Sequence, residues 1–234
     1  MYPLLTIGPL RMSMYGVGLL IATYIWWTWT ERRVGTLLPG WFLPTVIGSA
    51  WLGGRLGVIY FQPIPATDVL QQIITVRVFE YSWWTAVFFA VTVWRIVTYQ
   101  RQIPFTPTLR LALLPLLVAY GVASAAATIG GTSVGTQTDL PWAIPVYGQL
   151  RHPVGMYDAL IVWIGALWLL RRERMQYPIG WASIAVYVCS EFVSAGFRLN
   201  GIVLAGGLHL VQIIALVTLI VARERVIIQE QNQI

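Results

Sequence analysis

Apolar residues run along this chain in long, nearly unbroken stretches separated by short polar breaks; they do not alternate with polar ones. The stretches cover 13–30, 41–61, 82–99, 111–129, 154–170, 180–197 and 202–222. An apolar run of about 18 residues or more can cross a bilayer as a helix. The pattern therefore predicts an all-α polytopic membrane protein with about seven transmembrane helices. The breaks carry turn chemistry: Pro39-Gly40, then 62–81 with Pro63 and Pro65, then 100–110 with Pro104 and Pro107, then 132–153 with Pro141 and Pro145. Residues 68–78 could form a short interfacial helix inside the first long loop. No internal repeat and no low-complexity linker divides the chain, so 1–234 is expected to be a single transmembrane domain.

Composition supports the membrane class and narrows the partners. Hydrophobic residues make up 57% of the chain and charged ones 10%, which excludes an ordinary soluble domain. The formal net charge of +6 comes from arginine alone, since lysine is absent. These arginines cluster at the ends of the apolar stretches, where they orient a membrane protein and do not mark nucleic acid. Arg32, Arg33, Arg101, Arg110, Arg171, Arg172, Arg174, Arg223 and Arg225 follow the odd-numbered stretches. The positive-inside rule then places the amino terminus outside and the carboxy terminus in the cytoplasm. No cleavable signal peptide is apparent. Cys189 is the only cysteine, so no internal disulfide forms, and it is expected to be a buried small hydrophobe.

Few polar residues interrupt the apolar stretches, and these are the candidates for chemistry. Arg55 lies near the middle of 41–61, which has no acidic residue, with Gly53 and Gly57 on one helical face. Buried in a bilayer, such an arginine either snorkels outward or marks an anion site such as a lipid phosphate. Arg151-His152-Pro153 opens the fifth stretch, and Tyr157 and Asp158 follow one turn later. His152 could act as a base, donate to a phosphate, or simply start the helix beside Pro153. Asp158 could pair with an arginine. Glu191 and Arg198 are seven apart and could share a helical face and a polar cavity. His209, alone in an apolar stretch, is expected to be a satisfied core histidine. No metal-ligand set, phosphate loop, dinucleotide fingerprint or serine elbow is present.

Three patches together resemble a family. They are Ile7-Gly8-Pro9-Leu10 with Tyr15-Gly16, Gly53-Gly54-Arg55-Leu56-Gly57 with Tyr60-Phe61, and Arg151-His152-Pro153 with Tyr157-Asp158. In this order they look like the bacterial prolipoprotein diacylglyceryl transferases. The resemblance implies residence in the bacterial cytoplasmic (inner) membrane. It also implies a reaction moving the diacylglyceryl group of phosphatidylglycerol onto a lipoprotein-signal cysteine, with no cofactor. Arg55, Arg198 and Arg151 would bind the lipid phosphate. His152 and Arg198 would be the catalytic candidates, and Tyr15, Tyr157, Asp158 and Glu191 would line the cavity.

The chain departs from the family pattern at several positions. Trp84 stands where the family opens its third span with histidine. Ser124, Ala127, Gly130 and Thr132 replace an arginine, two asparagines and a glutamate, and Glu191 replaces an arginine. Losing one preorganised donor commonly costs two or three orders of magnitude in rate. The expected function is therefore a family member that has lost catalysis and serves as a lipid-binding or structural subunit of a membrane complex. Its partners would be a phosphatidylglycerol-like phospholipid and other integral membrane proteins. The alternative is an active phosphatidylglycerol–prolipoprotein diacylglyceryl transferase in lipoprotein biosynthesis.

Overall fold

A computed structural model describes residues 4–7, 10–61, 83–146, 148–173, 178–199, 203–204 and 207–231. The expected interfacial helix at 68–78 lies outside the described residues. Seven helices appear among them: α1 (Met14–Val34), α2 (Phe42–Phe61), α3 (Trp83–Gln100), α4 (Phe105–Ile129), α5 (Val154–Glu173), α6 (Ile179–Ala195) and α7 (Leu210–Gln231). They follow the apolar stretches closely. Two of them, α4 and α5, are long and apolar enough to cross a membrane by length and composition. Others are diluted by polar ends, as in α1 with Glu31-Arg32-Arg33.

Two short hairpins add to the helices. β1 (Leu4–Ile7) pairs antiparallel with β2 (Leu10–Ser13), ahead of the first apolar stretch. The Ser13 hydroxyl then caps α1 by accepting from the Gly16 N–H at 3.0 Å. β3 (Ile144–Val146) pairs with β4 (Gln149–Arg151) inside the long loop before α5.

The chain divides into two compact units. Unit 1 comprises 1–26 and 110–234; unit 2 comprises 27–109. In unit 1 the core gathers Leu114 and Leu117 of α4, Val162, Ala166 and Leu169 of α5, and Ala182 of α6. The close approach of α4 and α5 needs Gly155: a Cβ there would fall 2.2 Å from the Ser124 carbonyl oxygen and 2.5 Å from Thr128 Oγ1. The small residues at 121–131 thus serve backbone proximity, as in membrane helix pairs generally. α7 is tethered to α6 by Gln212. Its amide donates to the Phe192 carbonyl at 3.3 Å, and its oxygen accepts from the His209 N–H at 2.9 Å. This corrects the reading of His209: it is half-buried and precedes α7 as its cap, rather than sitting within a helix. Cys189 is also corrected, being exposed on α6.

Unit 2 buries Val34 and Phe42 completely, and Leu38, Leu43, Val46, Trp94 and Val97 almost completely. The Phe42 and Trp94 rings meet edge to face with centroids 4.8 Å apart. Trp94 Nε1 donates to Thr108 Oγ1 at 3.1 Å, and that hydroxyl donates back to the Phe105 carbonyl at 2.9 Å.

Candidate functional site

The long loop between α4 and α5 builds the frame of the site. Its backbone forms a narrow ribbon. β3 pairs with β4, residues 135–138 pair with 150–152, and Gly135 bridges to Arg198. The hydrogen bonds are specific: Gly135 N–H to the His152 carbonyl (2.9 Å), His152 N–H to the Thr136 carbonyl (3.1 Å), and Thr136 N–H to the Phe197 carbonyl (2.8 Å). Gly135 is required at the centre, because a Cβ would fall 2.2 Å from the Phe197 carbonyl oxygen and 3.0 Å from His152 Cβ. The ribbon joins the start of α5 to the chain just past α6. That junction decides where Arg151, His152 and Arg198 stand.

Arg198 lies beyond the end of α6 and folds back over it. Its Nη1 is 2.8 Å from Glu191 Oε2, and its Nη2 is 3.2 Å from Asp158 Oδ2 and 3.3 Å from Ser194 Oγ. The sequence left the arginine partner of Asp158 unspecified; the structure pairs Asp158 with Arg198 and brings Glu191 to the same guanidinium. The route differs from the expected one. The helix stops at Ala195, so Glu191 and Arg198 meet through a turn and not through two helical turns on one face. The two carboxylates compensate the charge of the partly buried guanidinium.

Two residues of this cluster were not singled out from the sequence. Tyr120 of α4 donates its hydroxyl to Glu191 Oε1 at 2.7 Å, and Tyr187 of α6 packs edge to face on the Tyr120 ring at 5.0 Å. A phenol in the middle of a small-residue helix was the available signal. Asp158 is almost fully enclosed, with 2% of its side chain exposed. Its Oδ1 is buried and has no hydrogen-bond partner among the described residues.

A second group surrounds His152. Its Nδ1 lies 3.1 Å from the Tyr157 hydroxyl, which also accepts from Trp142 Nε1 at 2.8 Å. The Phe197 ring covers both His152 and Tyr157, at 4.8 and 5.5 Å. Nε2 of His152 has no partner among the described residues. Both backbone polar groups of His152 are spent in the ribbon, and α5 begins only at Val154, so His152 belongs to the ribbon and Pro153 precedes the helix instead of opening it. Arg151 donates to the Gly135 carbonyl at 3.2 Å and pairs with Gln149; its Nε is buried and unpartnered among the described residues.

Two further candidates lie on α1 and α2. Tyr15 is in the first turn of α1, its backbone beside Gly130 of α4. Arg55 is buried in α2, flanked by Gly53 and Gly54, with 4% exposure. Gly53 lies against the Phe89 ring of α3, where a Cβ would come within 2.5 Å. The glycine face is thus a helix contact as well as an arginine neighbour, and the snorkelling reading of Arg55 does not apply. Arg55 belongs to unit 2 and Arg198 to unit 1, so a cavity common to both remains an expectation. Among the described residues no group of His, Cys, Asp and Glu could hold a metal ion.

The model of the prolipoprotein diacylglyceryl transferase family matches residues 3–228. A phosphatidylglycerol–prolipoprotein diacylglyceryl transferase of Mesorhizobium japonicum is 27% identical over 223 residues, covering 83% of this chain and 77% of the relative.

Proposed function

We propose, because the chain belongs to the prolipoprotein diacylglyceryl transferase family, that it is a noncatalytic member of that family of polytopic membrane proteins. It keeps the fold and serves in the bacterial cytoplasmic membrane as a lipid-binding or structural subunit of a complex. One observation carries this reading. Arg198, the cation assigned by resemblance to a lipid phosphate, is closed by Glu191 at 2.8 Å and Asp158 at 3.2 Å. A phosphate approaching it would meet two carboxylates at a low effective dielectric, where like charges repel strongly. Glu191 stands where the family carries an arginine, so the charge there is reversed.

The span-four positions support the same conclusion. The Thr132 hydroxyl is spent on the Ala127 carbonyl at 3.0 Å, closing the end of α4. Ser124 is buried, and its carbonyl faces Gly155. Neither offers the charge or the paired donors that would stabilise a developing oxyanion. Lipid binding is assigned to Arg55, a buried cation whose own helix carries no acid, with a phosphatidylglycerol-like headgroup as the ligand. Arg151 is the second phosphate candidate, through its spare Nε. Other integral membrane proteins are the proposed partners. The amino terminus faces outward and the carboxy terminus the cytoplasm; cysteines placed at 32, 101 and 172 should resist labelling from outside the cell.

The deciding experiment combines the purified full chain, phosphatidylglycerol and a peptide bearing a lipoprotein-signal cysteine. No diacylglyceryl transfer is expected. Turnover abolished by His152→Ala would establish the second reading, an active and divergent transferase. One observation favours that alternative: His152 Nδ1 lies 3.1 Å from the Tyr157 hydroxyl, a contact that would orient the imidazole as a base.

A further inference from the structure

The apolar stretch at 202–222 does not become one helix. α7 begins only at Leu210, and the chain before it turns back on itself. Val203 bridges antiparallel to His209, the Leu204 N–H donates to the Leu208 carbonyl at 2.8 Å, and the Gly207 N–H donates to the Leu204 carbonyl at 3.1 Å. Gly207 has a φ of 79°, in the left-handed region that favours glycine. The base of this hairpin is held on the protein: the His209 N–H donates to Gln212 Oε1, and Gln212 donates to the Phe192 carbonyl of α6. Its apolar side chains are not covered. Val203, Leu204 and Leu208 are 56%, 38% and 48% exposed, and Leu199 just before them is 51% exposed.

Two observations identify what covers them. The first is continuity. The exposed apolar surface runs on into α7, where Val211, Ile214, Val217 and Val221 are exposed while Ala215 and Ala222 are buried. The chain belongs to a family of integral membrane proteins, so this face of α7 meets lipid. No Asp, Glu or Arg occurs from 199 to 222. The second is length. The uncharged part of α7, residues 210–222, rises about 20 Å, against the roughly 30 Å of a hydrocarbon core. Accordingly α7 is not one of the two helices long and apolar enough to cross a membrane by themselves. The run Arg223-Glu224-Arg225 marks its water end, so the shortfall falls at the hairpin end. We infer that the 203–208 hairpin is an interfacial anchor set into the phospholipid leaflet at the start of α7, with Val203, Leu204 and Leu208 among the upper acyl chains. Main-chain groups that the hairpin does not pair need water or headgroup partners, so it lies at the glycerol level and not at the bilayer centre. The partner is the lipid surface as a whole, which makes the inference independent of the roles given to Arg55 and Arg198.

The test uses the full chain with Cys189→Ser, reconstituted in vesicles of phosphatidylglycerol and phosphatidylethanolamine. Single cysteines at 204 and 208 carry a nitroxide, and its collisions with dissolved oxygen and with a water-soluble nickel chelate are compared. Val217→Cys on α7 is the lipid reference. Gln137→Cys, in a polar cleft with Asp139 and Gln149, is the water reference. Oxygen should dominate at 204 and 208 as at 217, with the ratio inverted at 137. Nickel dominance at 204 and 208 overturns the inference, because the hairpin then stands in water. Exclusion of both reagents there also overturns it, because another protein then covers the leucines. A second measurement needs no substitution: a phospholipid with a photoreactive diazirine in its upper acyl chain is crosslinked to the unaltered chain, and the labelled peptides are identified by mass spectrometry. Labelling should include 199–209 as well as α7. Labelling of α7 without 199–209 overturns the anchor, and this holds even if a cysteine variant fails to fold.

Discussion

In unit 2, the Phe42 and Trp94 rings meet at 4.8 Å, and the one indole donor finds Thr108, fourteen residues away. In unit 1, the Arg198 guanidinium lies between Glu191 and Asp158, with Tyr120 behind them, and the four groups come from α4, α5, α6 and the turn beyond α6. The first knot is apolar, and its few polar atoms are satisfied by near neighbours. Thr98 bonds one turn back to the Trp94 carbonyl at 2.8 Å, for example. The second is ionic and long-range, and it leaves one buried oxygen without a partner. Removing an atom from the first knot loses that atom's own contacts. Removing one from the second strands a charge, because desolvated ions depend on their partners. The unit 1 knot is thus the more fragile and the more informative of the two.

The largest effect should come from Arg198→Ala, which leaves two carboxylates facing each other. Loss of one partner of a buried pair costs about 3–5 kcal/mol; the lower end is expected because 32% of the Arg198 side chain is exposed. Thermal or denaturant unfolding in detergent would check it, and a loss below about 1 kcal/mol would reduce the cluster to an ordinary surface ion pair. The sharper form is the combined Arg198→Met, Asp158→Asn, Glu191→Gln chain. It should recover much of the loss, since an apolar or neutral replacement of a whole ion cluster is often tolerated.

Next in size is Tyr120→Phe, which deletes the hydrogen bond to Glu191 and should cost about 1.5–3 kcal/mol. In a Glu191→Gln background the same change should cost measurably less, because the two groups are coupled. Identical costs in both backgrounds would show that the phenol matters only for packing. In unit 2, Trp94→Phe keeps the ring contact with Phe42 but loses the indole donor; about 1 kcal/mol is expected. Smallest should be Thr98→Val, whose hydroxyl only bonds back within its own helix, at roughly 0.5 kcal/mol. Denaturant series on the four variants would rank them. A Trp94→Phe loss larger than that of Arg198→Ala would invert the comparison between the knots.

Much of the helical architecture was legible in the sequence. The limits of α1, α2, α3, α5 and α6 lie close to the apolar stretches, since a long apolar run has few stable alternatives to a helix, whereas α4 starts at Phe105, inside the segment read as a polar break. Two segments were less readable. The β1–β2 hairpin and the ribbon at 135–151 carry little hydrophobic periodicity, and their pairing is made by backbone groups that every residue possesses. Of the site, a pairing of Asp158 with an arginine was legible from the rarity of charges in the apolar stretches, but which arginine was not. Tyr120 and Tyr187 were not, because a tyrosine in an apolar stretch reads equally well as packing or as an interface residue.

The amino-acid sequence by itself determined that the chain is an apolar helical protein with arginine-rich ends. It also carried the Gly-Gly-Arg and Arg-His-Pro patches, which lie within the residues matched by the family. These are properties of composition and local spacing, which require no knowledge of distant contacts. Only the tertiary structure decided that Glu191 and Asp158 close on the same guanidinium, that Tyr120 stands behind them, and that one carboxylate oxygen is left over. The physical reason lies in the ribbon. Gly135, His152 and Phe197 are joined by main-chain hydrogen bonds across more than sixty residues of sequence, and those bonds set the position of Arg198 without any side-chain signature. Helix formation follows from the burial pattern along one segment, whereas the charge balance of the site follows from which segments the backbone brings together.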